Sequence, residues 1–98
     1  MLKKEKMVPG SKIKITQLKN GLPKDGGWDS MVPITSIDVM DPNDYGIHKE
    51  KLHVGDELIV IKPPSRVGGG GNVCSVETLQ GTKGVVYWCH LRTSCQHI

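Results

Sequence analysis

A chain of 98 residues is the length of one domain and too short for two independent cores. With 37% apolar and 23% charged residues it lies outside the disordered class, and with two Trp, two Tyr and no Phe its core must be built from Ile, Val, Leu and Met. The formal charge of +3 excludes a strongly polyanionic or polycationic chain but hides an asymmetry. Residues 1–24 carry seven lysines against Glu5, residues 25–57 carry eight acids against Lys49 and Lys51, and residues 58–98 are again basic. No run approaches the about 18 apolar residues of a membrane helix, and Met1-Leu2-Lys3-Lys4-Glu5-Lys6 lacks the apolar core of a signal peptide. A cytoplasmic protein with no membrane contact is the expectation, and three cysteines without paired spacing agree with free thiols.

In chain order, residues 1–7 read as a flexible basic N-terminus, and residues 8–98 as the folded domain. Lys12-Ile13-Lys14-Ile15 alternates, so a half-buried strand presents both lysines outward. Residues 19–30, with Gly21, Pro23, Gly26 and Gly27, read as a long loop carrying Trp28. Residues 32–40 read as a strand opened by Pro33, and residues 41–52 as a loop or one turn capped by Asp44. The run Asp56 to Lys62, stopped by Pro63-Pro64, reads as a central buried strand. Gly68 to Gly71 read as a flexible connection. Residues 72–79 and 85–92, joined by Gly81-Thr82-Lys83-Gly84, form the strongest hairpin signal, and residues 93–98 a short closing strand. No apolar 3.6-residue period is sustained, so helix is minor. Five or six short strands in one chain predict a mainly β fold, a single small antiparallel barrel with long loops, because closure removes unpaired edges.

Val54-Gly55-Asp56-Glu57-Leu58-Ile59-Val60-Ile61, followed by Gly68 to Gly71 and then Val73 and Val76, resembles the glycine-spaced pattern of KOW-type and related SH3-like small barrels. The likeness spans roughly residues 54–92, and it departs from the pattern in the two prolines and extra glycines between the strands. It implies a barrel that binds RNA, DNA or protein and is not a catalyst; fold alone assigns no function.

Chemistry-bearing clusters are few. Cys74, Cys89, Cys95, His90 and His97 lack the paired knuckle of a structural zinc site, so Cys74 and Cys89 read as small apolar residues, and no metal or cofactor is expected. The four glycines lead into a strand rather than a helix, unlike a phosphate loop. Cys89 and His90 would point to opposite faces of a strand, and His48 and His53 read as surface residues on a loop, so no enzyme is expected. The leading expectation is a binding module that contacts nucleic acid, or a nucleic-acid-associated protein complex. Lys12, Lys14, Lys62, Arg66, Lys83 and Arg92 would meet phosphates, and Trp88 would be the outward ring that stacks on a base. The alternative is a protein-interaction or inhibitor domain using residues 21–29, Trp28 and the acids Asp38, Asp41 and Asp44. On that view Trp28 is either a lid on the barrel or an anchor for a partner.

Overall fold

A computed structural model describes residues 2–24, 27–66 and 72–98; Gly68 to Gly71 lie outside it. The first strand forms as its alternation predicts: β1 (Lys12–Ile15) buries Ile13 and Ile15 and exposes Lys12 and Lys14. The expected loop at 19–30 is instead a hairpin of β2 (Lys19–Lys24) and β3 (Gly27–Pro33), forming a two-stranded sheet of its own. Pro23 sits where the register shifts between Leu22 and Lys24, a place where a strand tolerates a missing donor. Pro33 therefore closes β3, and the next strand, β4 (Ile37–Asp41), begins four residues later.

Residues 41–52 are not a loop or a capped turn. They continue as β5 (Asp44–Leu52) after a tight connection through Pro42 and Asn43. Asp41 accepts the Asn43 N–H at 2.8 Å and Asp44 accepts the Gly46 N–H at 2.9 Å, so both carboxylates shape the hairpin end through bonds two residues ahead. The next strand, β6 (Glu57–Arg66), is not stopped by Pro63-Pro64. Its pairing with β7 (Asn72–Thr78) slips between Val60 and Lys62 and again between Lys62 and Ser65, so neither proline occupies a ladder position.

The hairpin of β7 with β8 (Lys83–Tyr87) matches the strongest sequence signal, but β8 ends five residues early. Trp88–Ser94 forms a short helix, α1, before the closing strand β9 (Cys95–His97). Trp88 and Leu91, three residues apart, are both buried on the helix, and this tertiary burial overrides the β preference of the segment. Glycine is required within β8 itself: a Cβ on Gly84 would press on the Met40 carbonyl oxygen and lie 2.7 Å from Val39 Cγ1.

Seven strands form one antiparallel sheet in the order β5-β4-β8-β7-β6-β1-β9. Residues from all seven strands meet in one main cluster, including Ile15, Val39, Leu52, Leu58, Val76 and Cys95, so the sheet curls around it, and a smaller cluster of Met40, Val73 and Val85 packs separately. It is mainly β as expected, yet it stays open: among the described residues no pairing joins β5 to β9. Helix α1 fills the concave side.

The N-terminal residues also depart from expectation. Lys4–Lys6 form a single 3-10 turn, Leu2 and Met7 are buried at 3% and 0% exposure, and the Leu2 N–H donates to the Arg92 carbonyl at 3.1 Å. Burial of two apolar side chains pins what composition suggested would fray.

Candidate functional site

Strand register decides which charged side chains share a face. Lys12 pairs with Ile59, Ile59 with Glu77, and Glu77 with Lys83, so one row crosses β1, β6, β7 and β8. Two residues along, Lys62 pairs with Ser75, Ser75 with Val85 and Val85 with Met40. Because paired residues project to the same side of a sheet, Lys12, Lys62 and Lys83 stand on its convex face, joined by Lys14 opposite Glu57. All four lysines are exposed. Neighbouring strands are about 4.8 Å apart, which sets Lys12 and Lys83 about 14 Å from each other at the backbone.

A groove of about 360 Å³ opens on this face, lined by Asp41, Lys49, Ile61, Ser75, Lys83 and Val85. Lys49 Nζ donates to the Lys83 carbonyl at 2.6 Å, which holds a further ammonium at its rim. Lys49 was not among the residues singled out from the sequence, because it had been read as part of a loop. Its place follows from β5 being a strand.

The other expected contact residues do not join this face. Trp88 is 6% exposed and belongs to the core, so it offers no ring to a base; the helix turns it inward. Arg92 lies half-buried on α1, its Nη1 enclosed by protein. Arg66 pairs with Asn72 at the end of β6, and its side chain falls outside the described ones. Trp28 sits on β3 beside the Lys24–Gly27 pair at the hairpin end, and its reading as lid or anchor likewise concerns a side chain outside those described.

Asp38 has a role the sequence did not reveal. Its Oδ2 lies 2.7 Å from His48 Nδ1, and its Oδ1 accepts the Ser36 hydroxyl at 2.8 Å. His48 is a β5 residue, brought beside Asp38 by the register shift between Val39 and Met40. Together with Met40, Tyr45, Tyr87 and His90 these groups line a cleft of about 110 Å³. Tyr45 meets Tyr87 edge to face at 6.0 Å, and Tyr87 meets His90 in the same manner at 5.5 Å. Burial pulls His90 below its usual 6.5, against a smaller opposing pull from the Asp38 carboxylate. Serine, aspartate and histidine here do not make a nucleophilic triad. The Ser36 hydroxyl donates to the carboxylate rather than to an imidazole, so nothing withdraws its proton.

The thiols are likewise placed for packing. Cys74 and Cys95 are buried in the core, and burial pushes both up to about 12; the Cys74 thiol nearby adds to the effect on Cys95. Cys74 Sγ donates to the Lys62 carbonyl at 3.2 Å. Cys89 and His90 are consecutive on a helix, not a strand. Among the described residues no group of three or more His, Cys, Asp or Glu side chains is close enough to hold a metal ion. No described helix is long and apolar enough to cross a membrane. Comparison with known families, curated proteins and solved structures returned no match.

Proposed function

We propose that this chain is a non-enzymatic binding module that contacts the phosphate backbone of a nucleic acid with the convex face of its sheet. The observation that carries this reading is the register that sets Lys12, Lys14, Lys62 and Lys83 on one side of four strands, where Lys83 and Lys49 also line a groove. Exposed ammonium groups at strand spacing meet a row of phosphates by displacing counterions, a contact that needs no base recognition. The likeness of residues 54–92 to KOW-type barrels points the same way. Glu57 and Glu77 are interspersed among the lysines, so the expected affinity is modest.

The test is a titration with mixed-sequence DNA and RNA over a salt series. Wild-type binding should weaken steeply with salt, and replacing Lys12, Lys62 and Lys83 together by Ala should lower the log–log slope by up to about three, near one per lost contact. Undetectable binding at low salt, or an unchanged slope in the triple variant, rules the reading out.

The competing reading, a protein-interaction or inhibitor domain built on Trp28 and the acids Asp38, Asp41 and Asp44, has less support. Asp41 and Asp44 form local bonds at the hairpin end, and Asp38 holds Ser36 and His48, so the three carboxylates have work within the fold.

A further inference from the structure

The cleft beneath Tyr45 and Tyr87 differs in chemistry from the lysine face. Its one carboxylate, Asp38, has a side chain only 23% exposed. Ser36 and His48 fill two of about four acceptor positions on that carboxylate, so two remain. The His48 imidazole donates a hydrogen bond from Nδ1 to Asp38 Oδ2. Tyr45, Tyr87 and His90 stand nearly perpendicular in sequence, with interplanar angles of 89° and 76°. Aromatic faces are electron-rich and edges electron-poor, and a corner made from such rings beside a carboxylate attracts a cation.

The dimensions restrict which cation enters. The cleft volume of about 110 Å³ is below the about 150 Å³ of a cavity that accepts benzene, so it suits a compact head group. A guanidinium recognises a carboxylate through two parallel bonds and would need both remaining positions, one on each oxygen. A compact ammonium head needs only one free acceptor position and a ring surface.

We propose that this cleft binds an alkylammonium group, held by the Asp38 carboxylate and by the rings of Tyr45 and Tyr87. The cleft lies on the same side of the sheet as the lysines, since Met40 pairs with Val85, but it shares no lining residue with their groove, and its test does not involve nucleic acid.

Backbone amide spectra of the full chain would be recorded with the chlorides of butylammonium and tetramethylammonium, with tert-butanol as a neutral group of similar size, and with sodium chloride at matched ionic strength. At least one ammonium ion should shift the signals of Asp38, Tyr45, His48, Tyr87 and His90 beyond the sodium chloride control, and tert-butanol should not. The stronger of the two ions tells whether a primary or a quaternary ammonium is preferred. Asp38→Asn and Tyr45→Leu should each weaken binding about tenfold. Tyr45 is half-exposed, so its variant keeps the question open to refutation should Asp38→Asn not fold. Equal shifts with tert-butanol, no shift with either ammonium, or unchanged affinity in the folded variants would overturn the proposal.

Discussion

Gly84 is fixed by what stands opposite it. Where β8 lies along β4, the Met40 carbonyl and the Val39 side chain occupy the space that a methyl group would need. Gly84→Ala should therefore lose about 1–3 kcal/mol of stability in urea unfolding, the usual result of forcing an extra carbon into a packed interior. A loss within error would mean that the two strands separate freely. The buried thiols give a second expectation, on pH. In the unfolded chain Cys74 and Cys95 ionise from about 9, whereas the folded protein keeps them protonated to about 12. The unfolded state releases its protons first, so stability is whole below pH 9 and falls between 9 and 12. On the acid side His90 acts in the opposite sense: the unfolded imidazole takes up its proton near 6.5 while burial resists it, so stability falls as pH drops through that value. Thermal melts of wild type and Cys74→Ala across this range check the alkaline limb, which should be shallower in the variant. At this scale the sequence was readable where the reason for a residue lay within a few neighbours, as in Lys12-Ile13-Lys14-Ile15. The Asp38–His48 pair was not, because it depends on a slipped register between two strands.

Among the elements, α1 shows how little a short helix owes to its own sequence. It has seven residues, Tyr87 supplies no side-chain cap, and its last turn is tied to the crossing segment that leads into β2. Ser94 Oγ donates to the Lys19 carbonyl at 2.6 Å and accepts the Lys19 N–H at 3.0 Å; Thr93 Oγ1 donates to the same carbonyl at 2.7 Å. Both hydroxyl residues are buried. Ser94→Ala should destabilise by about 1–3 kcal/mol, because it leaves the Lys19 N–H unmatched, while the Lys19 carbonyl keeps only its Thr93 donor. Denaturant midpoints would show it, and a change under 0.5 kcal/mol would place those groups in solvent. This knot joins positions 75 residues apart, which is why the segment 85–92 looked like continuous strand when read locally. The prolines misled for the opposite reason. Pro23 and Pro63-Pro64 are strong local breakers, yet each falls where the ladder has already slipped and no donor is required.

For the molecule as a whole, one core cluster draws on nearly every element, from Leu2 to Cys95. Such a core should unfold in one cooperative step, and its most distant contributor should matter as much as its central ones. Met7→Ala should cost about 2–5 kcal/mol, comparable to a substitution at Leu58, although Met7 lies in a segment whose composition suggested fraying. Equal stability of the Met7 variant and the wild type would show that the N-terminal turn is not docked. The mainly β character was legible because apolar alternation and turn residues recur along the second half of the chain. Whether the sheet closes was not legible, since closure depends on whether β5 and β9 pair, and among the described residues they do not.

The position of β9 has a consequence for how the protein is made. Ile15 pairs with Cys95, eighty positions further along, and Ile13 with His97. A chain emerging from the ribosome exposes residues 12–15 early, with one hydrogen-bonding side vacant until residues 95–97 have followed. Bringing such remote segments together is slow, because the entropy of closing the intervening chain is lost before any contact repays it. During synthesis that strand is an open template for other nascent chains, and only the arrival of the last strand removes the hazard.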